Sequence, residues 1–121
     1  MGISFTVLSS GSTGNATVVT NGETTLLIDA GFSARRIDEL LQERDLTGSE
    51  IDGILITHEH SDHIKGLGPV ARKYDLPIYA NEKTWDAINK SVGKISEENR
   101  IVLDSGAVKD FGTLRVESFG I

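Results

Sequence analysis

The chain has no cysteine among its 121 residues. That excludes a disulfide framework, a thiolate zinc site and thiol chemistry. Proline occurs twice and aromatic residues make up 6%, and there is no low-complexity tract. No apolar run approaches the ~18 residues that a membrane span requires, and no membrane partner is expected. The first ten residues carry no basic cluster, so a secretory leader is not expected and the cytoplasm is the default compartment. Basic residues are in deficit, 12 against 18 acidic, for a net charge of −6. A protein that grips nucleic acid usually carries the opposite excess.

What remains is ordinary in size and composition for one domain, with 38% hydrophobic and 25% charged residues. Residues 3–8 read as a first strand and 16–20 as a second. Asn21-Gly22 between 16–20 and a third strand at 24–29 is a two-residue hairpin signal. Ser33 is a plausible N-cap for a helix over 34–44, whose Ile37, Leu40 and Leu41 share one face. Ile54-Leu55-Ile56 is a short β-branched run, as expected of a strand buried on both faces. A second helix is expected over 66–74, a strand over 77–80, and a third helix from an Asn81 cap through about Val92. Late strands at 100–103 and 113–119 are joined by turn residues. Strands followed by strand–helix alternation give an α/β layered fold.

The most informative segment is His58-Glu59-His60-Ser61-Asp62-His63. It contains all 3 histidines of the chain, set beside a carboxylate, at the end of a buried strand. Imidazole nitrogen and carboxylate oxygen are ligands that zinc and similar divalent ions favour. A regular strand would put His58 and His60 on one face and His63 on the other. A regular helix would not place His58 beside His60. The spacing therefore demands a turn, and Gly66, Gly68 and Pro69 follow to help supply one. A helix N-terminus capped by Asp62 would account for the carboxylate and leave the histidines unexplained. Without thiolate, the ligand set suits a site that keeps an open or water-bound position.

His58-x-His60-x-Asp62-His63 after a buried strand resembles the signature of the metallo-β-lactamase fold superfamily. Ser9-Ser10-Gly11-Ser12-Thr13-Gly14-Asn15, Leu27-Ile28-Asp29-Ala30-Gly31 and the stretch Tyr79 to Trp85 narrow the resemblance to its YycJ/WalJ-like branch. It runs over the whole chain. It implies the N-terminal half of an αβ/βα sandwich, a mixed sheet with helices packed on one face, residues 1–121 forming half of a single domain. It implies two divalent ions, zinc or manganese. His58 and His60 would hold the first ion, Asp62 and His63 the second, and Asp62 and His63 would serve catalysis. The implied reaction is attack by a metal-bound hydroxide on a DNA phosphodiester, with exonuclease activity from five-prime ends. Thioester or β-lactam hydrolysis on the same site is the alternative.

The same resemblance implies further ligands that this chain does not contain. The chain therefore reads as a truncated half, inactive alone, with partial metal occupancy or none. A half-sandwich would expose apolar surface and strand edges, from which a homodimer or larger assembly is expected.

Asp29 closes a buried strand. It could cap the coming turn, or stand behind the ligating histidines and orient them, the role the resemblance favours. Ser10, Ser12 and Asn15 are candidates for the substrate edge of the pocket, against a plain tight connection. Lys65, two residues past the motif, could meet a phosphate or simply be solvated. Arg35, Arg36, Arg72 and Lys73 read as solvated faces, and Tyr79 and Trp85 as core or pocket wall.

Overall fold

The computed structural model describes residues 4–9, 15–57, 64–103, 108–111 and 114–117, with the side chains of 15–57 and 64–103. Strands β1 (Ser4–Ser9), β2 (Ala16–Thr20), β3 (Thr25–Ile28), β4 (Gly53–Leu55), β5 (Ile78–Ala80) and β6 (Arg100–Val102) form one sheet in sequence order. β1, β2 and β3 are antiparallel neighbours, and β3 to β6 run parallel. Helices α1 (Ala34–Gln42), α2 (Leu67–Tyr74) and α3 (Glu82–Val92) carry the chain between the parallel strands. A separate antiparallel pair joins β7 (Val108–Phe111) to β8 (Leu114–Glu117).

The sheet is built from cross-strand pairs. Val18 stands opposite Leu27, Leu27 beside Ile54, and Ile54 beside Ile78. That row packs in one cluster with Ile37, Leu40 and Leu41 of α1, Leu67, Val70 and Ala71 of α2, and Trp85, Ile88 and Val92 of α3. All three helices thus cover one face, as expected. Each fully buried aliphatic side chain here contributes roughly 1.5–3 kcal/mol of transfer free energy. On the other face Val19, Leu26 and Tyr79 are buried together, with Ile28, Leu55, Ile101 and Leu103 packed against them. Gly53 makes room for the Tyr79 ring, which a β-carbon at Gly53 would meet at 2.9 Å. Ile28, Leu55, Ile101 and Leu103 are only partly buried, and among the described residues the one large hydrophobic side chain left exposed is Val102.

Local chemistry explains the element ends. The Asn81 side chain accepts from Thr84 N at 2.7 Å and opens α3, while Ser33 accepts from Arg36 N at 3.3 Å and opens α1. α1 and α2 are tied by Asp38, whose carboxylate accepts from both Lys73 Nζ and Tyr74 Oη at 2.6 Å. That hydrogen bond, followed by burial, holds the Tyr74 phenol above the ordinary tyrosine value.

Two expectations shift. In the first hairpin the central residues are Gly22 and Glu23. Asn21 sits one position earlier, its backbone N donating to Thr24 O and its side chain accepting from Glu23 N and Thr24 N. Gly22 alone takes positive φ, +94°, the first-central-position glycine of a tight hairpin. The second is β7, which lies where only turn residues were expected. Val108 and Phe111 are its only apolar members, too few to display a period of two.

The capping geometry yields a test. Asn81→Ala should destabilise the chain by about 1 kcal/mol, read as a lower midpoint in urea unfolding at unchanged slope. Ser33→Ala, which removes a longer bond, should cost less. Equal midpoints for Asn81→Ala and wild type would mean that the α3 cap contributes nothing.

Candidate metal centre

The candidate site is organised by one turn, residues 29–33, where β3 ends and α1 begins. Three consecutive residues of this turn fasten three different segments. Asp29 N donates to Leu55 O at 2.8 Å, its Oδ1 accepts from Thr57 N at 2.8 Å, and its Oδ2 accepts from Thr57 Oγ1 at 2.6 Å. Ala30 O accepts from Gly66 N at 2.7 Å. Gly31 N donates to Asn15 O at 2.9 Å.

Asp29 is buried, 5% exposed, and its backbone lies in the left-handed region at φ +64°. Among residues with a side chain, Asp and Asn tolerate that region best. The position asks for a residue that accepts this backbone and also offers acceptor oxygens. Asp meets both demands. Its carboxylate takes two donors from Thr57, the residue immediately before His58, and bonds to a charged acceptor are the stronger kind.

Gly66 is required for a different reason. A β-carbon there would lie 2.0 Å from Phe32 O. The backbone of Gly66 therefore packs directly on the 29–33 turn, and no other residue fits without displacement. Thr57 and Gly66 bracket the histidine run, and both are fastened to adjacent residues, Asp29 and Ala30. The chain leaves this turn at Thr57 and returns to it at Gly66.

His58, His60, Asp62, His63, Ser10 and Ser12 lie outside the described residues. Asn15 is half-buried and joined to the turn through its carbonyl, and Lys65 is exposed beside Gly66. Asp29 meets the start of the motif through Thr57. Tyr79 and Trp85 are buried, with Trp85 Nε1 donating to Ile101 O at 2.8 Å, as expected of core residues. Thr57 and Ala30 were not singled out by sequence reasoning, and Gly66 only as a glycine that helps supply a turn. For Gly66 the signal was present, a glycine closing the motif's turn. The Thr57 bond to Asp29 spans 28 positions, with no local pattern to announce it.

The described residues contain no cluster of three or more His, Cys, Asp or Glu side chains able to hold a metal. The expected ligands lie in 58–63, where three imidazoles and the carboxylate of Asp62 are donors suited to borderline divalent ions.

Two substitutions test the turn. Asp29→Ala should cost about 2–3 kcal/mol, from lost charge-assisted bonds and a left-handed alanine. Asp29→Asn keeps one acceptor oxygen and the backbone preference and should cost clearly less; equal losses in denaturant melts would deny the turn this role. Gly66→Ala should cost about 1–3 kcal/mol by overpacking, and a Gly66→Ala protein as stable as wild type would show the contact with Phe32 to be slack.

Comparison with known proteins places this arrangement. The model of the metallo-beta-lactamase superfamily matches residues 10–120. The chain is 52% identical to an exodeoxyribonuclease YycJ from Bacillus anthracis, over all of this chain and 46% of that protein. It is 44% identical to an exodeoxyribonuclease WalJ from Streptococcus pneumoniae, again over all of this chain and 46% of the relative. The chain thus spans about half the length of these curated relatives. Among solved structures, a metallo-β-lactamase from Cronobacter sakazakii superposes with a TM-score of 0.75 at 14% identity, over 90% of this chain and 46% of that one. A B3 metallo-β-lactamase with an active-site glutamic acid superposes with a TM-score of 0.73 at 20% identity, with the same coverage. At such identities these structures speak for the fold alone. A family match over nearly the whole chain, on a mixed sheet of this topology, makes the chain a member of the metallo-β-lactamase superfamily.

Proposed function

We propose that this chain carries the metal-binding half of a hydrolase that cleaves DNA phosphodiesters from a strand end. The observation that carries the reading is the Thr57–Asp29 pair, which fastens the start of a His-x-His-x-Asp-His run at the carboxyl edge of β4. In sheets covered by helices, chemistry gathers at that edge. Identity of 52% and 44% to proteins named exodeoxyribonucleases, over the entire chain, supports DNA as the substrate.

His58 and His60 would hold one divalent ion, and Asp62 and His63 a second; zinc and manganese both suit these donors. Held there, such ions would supply Lewis acidity for phosphodiester hydrolysis. The chain's own residues do the positioning. Asp29 holds Thr57, so the backbone entering His58 starts from a fixed point. Asn15, and with it Ser10 and Ser12, would border the substrate side, and Lys65 would face a phosphate. Residues 1–121 would form half of a single domain, with the remaining ligands supplied from the other half of a protein as long as its relatives. On this reading the 121 residues alone are inactive.

The test compares metal content and nuclease activity in the full-length protein and in the 121-residue chain. Full-length protein should carry about two ions and degrade an end-labelled oligonucleotide. His58→Ala/His60→Ala should lose at least one ion and reduce cleavage by 100-fold or more, roughly 3 kcal/mol of transition-state stabilisation. The isolated chain should bind little metal and cleave nothing. Full metal retention in the double variant would overturn the ligand assignment. Loss of metal without loss of cleavage would overturn the hydrolytic role.

A further inference from the structure

The chain is anionic as a whole, but its cations are not evenly used. Towards the amino-terminal ends of the parallel strands, most are engaged by internal acceptors. Arg44 donates to Leu40 O, and Arg72 to Val92 O and Lys94 O. Lys73 donates to Asp38, and Arg100 donates to Asn89, Ile95 O and Gly93 O. Lys90 and Lys94 are the exceptions. Glu23, Glu50 and Asp52 line a cleft at this same end.

The carboxyl edge is different. Arg35 and Arg36 stand in the first turn of α1, directly after the 29–33 turn, and both are exposed. Lys65 is exposed too, and its neighbour Gly66 packs on the backbone of Phe32 and Ser33, the latter being the N-cap of α1. The contact between Gly66 and that N-cap brings Lys65 to the start of the helix that carries Arg35 and Arg36. Among the described residues neither Arg35 nor Lys65 has an ion-pair or hydrogen-bond partner, and Arg36 has only an exposed pairing to Glu39 at 3.5 Å. Such a pair contributes little and is readily exchanged.

We infer that Arg35, Arg36 and Lys65 form a basic rim beside the candidate metal centre that holds the backbone phosphates of a DNA strand as its end enters the site. This deepens the proposed function and rests on it. Three cations that do no structural work, on an anionic chain, at the edge where the histidine run begins, fit a polyanionic ligand. The exposed Arg36–Glu39 pair opens without structural cost when a phosphate replaces the carboxylate. Bonds from these residues reach phosphates and not base edges, so the rim should favour no sequence.

The experiment measures binding of a single-stranded, phosphorothioate-linked oligonucleotide to the full-length protein across a salt series. Each phosphate neutralised contributes about 0.7 to the slope of log K against log salt. Arg35→Ala/Arg36→Ala/Lys65→Ala should lower that slope by about 2 and weaken binding at low salt by at least about tenfold. Lys90→Ala, a cation removed away from the rim, should leave the slope unchanged. Circular dichroism and the urea midpoint of the triple variant should match wild type, since all three side chains are exposed. A wild-type slope in the triple variant, with binding and cleavage intact, overturns the rim and leaves the nuclease reading standing. An equal drop for Lys90→Ala overturns it as well, because the effect would then be one of total charge. No oligonucleotide binding by the wild type would sink the nuclease reading itself.

Discussion

The candidate centre depends on how residues 29–31 use their polar groups. A buried turn must satisfy its backbone donors and acceptors somewhere. Here the acceptors and donors come from three distant segments: Leu55 and Thr57 at Asp29, Gly66 at Ala30, and Asn15 at Gly31. One requirement, that a buried turn be fully hydrogen-bonded, therefore fixes where β2 begins, where β4 ends and where α2 starts. The left-handed backbone of Asp29 is the cost of presenting these groups in three directions within three residues. The surrounding bonds are numerous enough to hold it.

The sheet supplies the scale on which that turn matters. β3 and β4 are parallel neighbours, with Leu26 paired to Gly53, Leu27 to Ile54 and Ile28 to Leu55. Their carboxyl ends are consequently level, and the turn after β3 meets the residues after β4 without any long excursion. α1 and α2 each depart from this level edge and pack on the same face. Two helix starts and a strand end thus converge on one small region. Parallel topology brings Thr57 to this edge, and its bonds to Asp29 hold it there. A metal loop on a free-standing hairpin would have no comparable support.

How much of this was legible in the sequence varies with the range of the interaction responsible. Ile54-Leu55-Ile56 announced a buried strand because its composition is local. Ser33 and Asn81 announced helix starts for the same reason, and both side chains make the expected bonds. Asn21-Gly22 located the hairpin and misplaced its centre by one residue, since dipeptide chemistry does not say which hydrogen bond closes the loop. Val108–Phe111 was missed because Lys109 and Asp110 break the alternation that marks a strand. At the centre, the histidine run was legible from ligand chemistry alone. Asp29 was legible as a carboxylate ending a strand, but not its bonds to Thr57, because nothing in a linear pattern pairs positions so far apart. Gly66 was visible as a turn glycine and invisible as the residue that lets α2 approach Phe32.

Net charge is the clearest case of a whole-chain number concealing a local arrangement. A total of −6 argues against nucleic acid if charges are taken as interchangeable. They are not. Lys73 joins two helices through Asp38, Arg72 satisfies carbonyls at the end of α3 and just past it, and Arg100 braces the approach to β6. These cations are committed to the fold and are unavailable to a ligand. Several of the carboxylates are committed too, Asp29 to Thr57, Asp52 to Thr25 N and Glu50 to Thr47 N. The field that a strand of DNA would meet is set by all charges within about a Debye length of the site, but only uncommitted cations are free to bond a phosphate. At the carboxyl edge those groups include Arg35 and Lys65, and the acidic cleft of Glu23, Glu50 and Asp52 lies at the far end of the strands. Among the described residues, the acidic cleft and the exposed Arg35 and Lys65 therefore lie at opposite ends of the parallel strands.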